Sequence, residues 1–159
     1  MSERSSEHTR ALVAEHAFLA GLPPQAIELV AEVGEPVSFG AGSLLFREGS
    51  PADVAYLVTK GRVALEVHAP NRGPVVVDTI GAGQVAGLSW AAVPFRYQFD
   101  ARALDDVEAV AVDAARLRVA LAEDPVLGFL FLDRLAAVML RRLQATRIRL
   151  LDLYGPGGG

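Results

Sequence analysis

The chain has 159 residues, of which 52% are hydrophobic and 21% charged, a composition that folds around one core without disulfides or metals. It contains no cysteine, which excludes thiolate nucleophiles, disulfide frameworks and cysteine-based zinc or iron–sulfur sites. Fifteen basic against nineteen acidic residues give a net charge of -4, so a nucleic-acid role would have to rest on a local basic patch.

Residues 1–9 are polar, carry both signs and read as a flexible N-terminus. They lack the basic start and apolar stretch of a secretory signal, so the expected location is the cytoplasm. The folded domain is expected over residues 10–154. Its longest late apolar run, Val126–Leu132, ends at Asp133, far short of the roughly 20 residues of a membrane span, and no membrane contact is expected.

Phe18-Leu19-Ala20-Gly21-Leu22-Pro23-Pro24 leads into a predicted helix over Gln25–Val33, with Ile27, Val30 and Ala31 on one face and Gly34 as its stop. From Glu35 to Asp113 the sequence breaks into short β-branched runs divided by Gly, Pro and Asn. They predict seven strands, at Pro36–Phe39, Ser43–Phe46, Val54–Thr59, Arg62–His68, Pro74–Thr79, Tyr97–Leu104 and Val107–Val112. Seven strands in so few residues suit a closed or double-sheet roll. The clearest alternation, Arg62–His68, puts Val63, Leu65 and Val67 on one face and Arg62, Glu66 and His68 toward solvent.

Asp113 is positioned to cap a helix over Ala114–Ala122. Asp124-Pro125 opens a second one that runs to Tyr154 and is stopped by Gly155-Pro156, leaving 155–159 as a flexible tail. At about 44 Å that helix is longer than this core requires. Leu132, Ala136, Met139, Leu143, Thr146, Leu150 and Leu153 are spaced alternately by four and three, the register of a coiled-coil seam, and predict a homodimer. Leu135, Val138 and Leu151 form a flanking stripe for the β roll. Arg134, Arg141, Arg142, Arg147 and Arg149 read as a solvated basic face, with docking to an acidic partner as the other reading.

Four strings together resemble the cyclic-nucleotide-binding domain family, the sensor module of regulators of the catabolite activator/FNR type. They are Phe18–Leu22, Phe39-Gly40-Ala41-Gly42-Ser43-Leu44-Leu45-Phe46-Arg47-Glu48-Gly49, Tyr56-Leu57-Val58-Thr59-Lys60-Gly61-Arg62-Val63, and Ile80-Gly81-Ala82-Gly83-Gln84-Val85-Ala86-Gly87. The resemblance implies an α+β, mainly β domain: a double-stranded β-helix or jelly roll, with N-terminal helices and a long C-terminal dimerisation helix. It also implies a cassette between two strands, in which a Gly-Glu pair and an Arg ten residues after the Gly hold a cyclic phosphate and its ribose.

On that pattern Gly87 takes the Gly place, Leu88 the Glu place and Tyr97 the Arg place, so both charged contacts are missing. Arg96 stands one residue early, where an extended strand points its side chain to the other face. The ligand-binding set implied by the resemblance is Gly87, Leu88, Ser89, Trp90, Arg96, Tyr97, Gln98 and Phe99. Leu88, Trp90, Phe95, Tyr97 and Phe99 make this region apolar, which leaves three readings. The rings fill the cavity; or the roll keeps a pocket for another small ligand; or a cyclic nucleotide is held through Arg96 or Arg102 and the amides of Gly87 to Ser89.

His8, His16 and His68 are dispersed and form no metal-ligand spacing. Ser89 lacks the flanking glycines of a nucleophile elbow, and no catalytic residue is assigned. The expected function is therefore regulatory and non-catalytic: a homodimeric sensor acting on a separate effector protein, or an interaction protein with a filled pocket. Only Gly155–Gly159 follow the long helix, so no recognition helix is expected to read DNA directly.

Overall fold

A computed structural model describes residues 3–92 and 94–154, with backbone alone for Leu153 and Tyr154; the predicted stop at Gly155-Pro156 and the tail 155–159 lie outside the described residues. Helices α1 (Glu3–Glu15) and α2 (Pro24–Glu32) precede the strands β1 (Gly34–Phe39), β2 (Leu44–Phe46), β3 (Val54–Lys60), β4 (Val63–Ala69), β5 (Gly73–Ile80), β6 (Val85–Ala86), β7 (Asp100–Ala103) and β8 (Val107–Asp113). Two helices follow, α3 (Ala114–Glu123) and α4 (Pro125–Tyr154). The strands pair antiparallel in two sheets, ordered β1-β8-β3-β6 and β2-β7-β4-β5, the jelly roll with flanking helices that the sequence predicts. Val58, Val63, Ile80, Val107 and Val110 lie fully buried in the core.

The helix starts follow the predicted chemistry. Asp113 Oδ1 accepts from the Arg116 amide at 3.1 Å, and Asp124 Oδ1 accepts from the Leu127 amide at 3.1 Å, one carboxylate at the head of each late helix. Three local expectations are corrected. Residues 3–15 form a helix where a flexible segment was expected over 1–9, because Thr9 and Val13 are buried and Arg10 pairs with Glu28 of α2. The eighth strand, β6, is a two-residue segment between glycines that pairs with Tyr56 and Leu57. Only Asp100–Ala103 of the predicted strand Tyr97–Leu104 is a strand, since Phe95 at φ 56° turns the chain just before it.

Glu66 also departs from expectation. His68 is exposed as predicted, but Glu66 is only 7% exposed. The neighbouring strand supplies the compensation: Arg102 of β7 donates through Nε to Glu66 Oε1 at 2.9 Å and through Nη1 to the Gly42 carbonyl at 2.9 Å. A buried carboxylate is tolerated only when so paired.

His16 ties the N-terminal helices to the roll. It caps the short 3₁₀ turn Ala17–Leu19, its Nδ1 accepting from the Phe18 amide at 3.2 Å while Nε2 donates to the Val58 carbonyl at 2.9 Å. That pair of bonds fixes the neutral tautomer, since a second ring proton would face the Phe18 N–H. Burial lowers its pKa, against the raising influence of the Val58 and Gln84 backbone. Between the folded pKa and the ordinary value near 6.5, the unfolded chain binds the proton and the native one does not, so stability falls as the pH drops below about 6.5. The wild type is expected to lose stability between pH 7.5 and 5.5 more steeply than His16→Gln, the difference for this one group being no more than about 1.4 kcal/mol per pH unit, read from melting curves. Parallel melting curves for the two proteins across that interval would contradict this account.

Along α4, Leu127, Phe131 and Leu135 are buried and Val138 is partly buried against the core. Beyond them arginines take over. Arg134 donates to the Phe18 and Ala20 carbonyls, each at 2.6 Å; Arg142 donates to Val85 O at 2.5 Å; Arg149 reaches Val77 O at 2.9 Å and Asp78 at 3.2 Å. β6 and β5 are the edges of their sheets, so Arg142 and Arg149 satisfy carbonyls that no further strand meets. Arg134 and Arg142 are therefore half-buried clamps and not the solvated face expected of them, whereas Arg141, Arg147 and Arg149 are exposed, and Leu151 stays exposed instead of packing on the roll. Leu132, Ala136, Met139, Leu143, Thr146 and Leu150 of the predicted seam are all exposed along α4, joined by Phe129, Leu140 and Ile148; the Leu153 side chain lies outside the described residues.

Candidate functional site

The chain between β6 and β7 leaves the sheet at Gly87, whose φ of 91° is open only to glycine without strain. A Cβ there would also lie 3.2 Å from both the Tyr97 ring and the Val54 carbonyl. The turn places the 3₁₀ segment Leu88–Ala91 opposite α4, and a cleft of about 510 Å3 opens between them. That volume lies within the roughly 300–1,000 Å3 of small-ligand sites. The cleft is lined by Phe46, Leu65, Gly87, Leu88, Ser89, Ala92, Pro94, Arg96, Gln98, Phe99, Met139 and Arg142. Apolar groups dominate, two guanidinium groups are present, and no Asp or Glu is among these residues.

Six of the eight residues named from sequence, Gly87, Leu88, Ser89, Arg96, Gln98 and Phe99, meet at the cleft. Trp90 and Tyr97 do not. Trp90 turns into the core beside Phe18, Leu117 and Phe131, and its carbonyl accepts from Arg118 Nη1 at 2.9 Å. Tyr97 stacks on Phe46 with ring centroids 3.8 Å apart and donates its hydroxyl to Val54 O at 2.5 Å. Burial pushes its phenol up to about 12, with Tyr56 and Asp53 adding to the rise against the Val54 bond, so it remains a neutral donor. Phe95 lies apart, its ring 4.5 Å from the Arg118 guanidinium. Rings at 90 and 97 thus pack behind the cleft, which stays open; the reading in which side chains fill the pocket is not the arrangement found.

Arg96 does reach the cleft wall, held by Nη1 donating to Gly49 O at 2.8 Å. Arg102 is committed to Glu66 and Gly42 and is not among the lining residues. The sequence reading missed Phe46, Leu65, Ala92, Pro94, Met139 and Arg142 as cleft residues. A signal existed for Arg142: it lies four residues after Val138 and seven before Arg149, on the stripe of α4 that faces the roll. Met139 was read only as a seam residue. Among the described residues no group of His, Asp and Glu is placed to hold a metal ion, and no helix is long and apolar enough to cross a membrane.

Residues 36–124 match the cyclic nucleotide-binding domain family. A structure from Geobacter metallireducens GS-15 described as a cyclic nucleotide-binding protein is 31% identical, covers 87% of this chain and 98% of its own, and superposes with a TM-score of 0.74. A CRP-like cAMP-activated global transcriptional regulator of Mycobacterium tuberculosis is 28% identical over 142 residues, 89% of this chain. The chain spans 62% of that regulator's length. The Thermus thermophilus catabolite activator protein shares the fold, with 22% identity, a TM-score of 0.66, and coverage of 87% of this chain and 63% of its own. A jelly roll with the matched strings, a cleft beside the β6–β7 connection and a long helix forming its far wall make one conclusion plain: the chain belongs to the cyclic nucleotide-binding domain family.

Proposed function

We propose that this protein is a non-catalytic regulatory sensor that works as a homodimer on a separate effector protein. A small ligand in the cleft, a cyclic nucleotide or another flat molecule, sets the position of α4. The observation that carries the reading is the shared construction of the cleft: Leu88 and Phe99 come from the roll and its connection, whereas Met139 and Arg142 come from α4. A ligand touching both walls binds one helix position better than another, which is the condition for moving an equilibrium between them. In this reading the phosphate cassette is degenerate, with Leu88 where the acid would stand and the Tyr97 hydroxyl already engaged by Val54.

The test is a melting screen with cyclic mononucleotides, cyclic dinucleotides and flat aromatic acids. A ligand at about 100 times its dissociation constant adds roughly 2.7 kcal/mol, a rise of about 5–11 °C for a domain of this size. A panel that leaves the melting temperature unchanged would overturn the sensor in favour of an interaction protein that uses its surface alone.

A further inference from the structure

We infer that a second cavity beside α4, separate from the cleft, binds a compact polyanion carrying two or more phosphate or carboxylate groups, and that Arg134, Arg141 and Arg142 hold it. The cavity has a volume of about 540 Å3 and lies between α4, the 3₁₀ turn at Ala17–Phe18 and the Gly83–Val85 approach to β6. From residue 134 to 149 α4 carries five arginines and no Asp or Glu, on a chain whose net charge is -4. Helical spacing sorts them, since residues seven apart share a face. Arg134, Arg141 and Arg142 line the cavity, Arg149 is spent on Asp78 and Val77 O, and Arg147 lies outside it.

The charges in this cavity do not balance. Asp78 is the one carboxylate among its lining residues, and it is already bound by Arg149 Nη2 at 3.2 Å and by the Thr79 amide at 2.9 Å. Arg134 and Arg142 donate only to neutral carbonyls, those of Phe18 and Ala20 for the first and of Val85 for the second. Among the described residues neither they nor Arg141 forms an ion pair, and Arg141 is exposed. Burial lowers the Arg142 pKa, with Asp78 acting the other way. Three guanidinium groups around one void hold a positive potential, and each keeps N–H donors for an oxyanion. A polyanion engages two or three of these forks at once, where a single small anion engages one. Bound there, it would tie α4 to the turn at Phe18 and to the sheet edge at Val85, and so favour the packed position of the helix.

The wild type is titrated by calorimetry with pyrophosphate, citrate and orthophosphate at fixed ionic strength, with sodium chloride as the blank. Pyrophosphate or citrate is expected to bind more tightly than orthophosphate, with an affinity that falls as salt is raised. Arg141→Gln removes no contact within the protein, so it should melt like the wild type and yet bind the polyanion about tenfold more weakly. Arg141→Lys keeps the charge without the fork and should recover part of that loss. Arg147→Gln, on the same helix outside the cavity, and Arg96→Gln, in the cleft, should bind as the wild type does. Four results overturn the site: no binding of either polyanion above the chloride blank, orthophosphate binding as tightly as both, an affinity unchanged in Arg141→Gln, or an equal loss in Arg147→Gln or Arg96→Gln. The sensor's cleft is tested separately by the melting panel, whichever way these results fall.

Discussion

Leu143→Asp is expected to turn a dimer into a monomer, halving the sedimenting mass to the 16.9 kDa of a single chain. In one copy, Leu132 is 61% and Leu143 58% exposed, and Met139, Leu140 and Leu150 extend the same apolar surface of α4. Apolar surface in so continuous a stripe is rare on a monomer, which supports the proposed homodimer. A carboxylate at 143 would sit unpaired in that contact, opposite or near its counterpart from the second copy, at a cost of several kcal/mol. Leu143 lines no part of the roll, so the variant should keep its native circular dichroism, which separates loss of pairing from loss of fold. A variant that still sediments as a dimer, or a wild type that sediments as a monomer, refutes the seam.

The second large effect concerns the other face of the same helix. Phe131 is 1% exposed and packs among Phe18, Leu19, Trp90 and Leu117, around a void of only about 10 Å3. Phe131→Ala removes a whole ring from a site where helices α3 and α4, the N-terminal segment and the Leu88–Ala91 turn all converge. Such truncations cost about 3–5 kcal/mol, here roughly 6–20 °C in melting temperature. Denaturant titration should register it as a lower midpoint with little change in slope. A loss below about 1 kcal/mol would mean that this junction does not anchor α4, and with it the far wall of the cleft.

The elements that were legible in the sequence are those whose signals are local. Carboxylate caps at Asp113 and Asp124 and the punctuating glycines announce helix starts and strand ends, because each acts within three or four residues. The resemblance then located Gly87, Ser89, Arg96 and Phe99 near a pocket. What could not be read are directions set by partners far away in the chain. Glu66 looks solvent-facing in its own strand and is buried because Arg102, 36 residues on, reaches it. Tyr97 turns inward for a stack on Phe46 and a carbonyl at Val54, neither of which local alternation encodes. Arg142 reads as one more surface arginine until the edge carbonyl of β6 is known to lie beneath it.

β1 pairs with β8, Gly34 opposite Val112, so the first strand made has no partner until nearly the last is made. At about 5–20 residues per second, a ribosome needs roughly 4–16 s to supply the stretch between those two positions. Throughout that delay a strand waits with both edges open, a hazard for neighbouring nascent chains. Pro36 within it lacks an N–H for an intruding strand to accept from, and Glu35 places a charge on the same segment. Even in the finished sheet β1 remains an edge, so the same two residues go on guarding it after folding is complete.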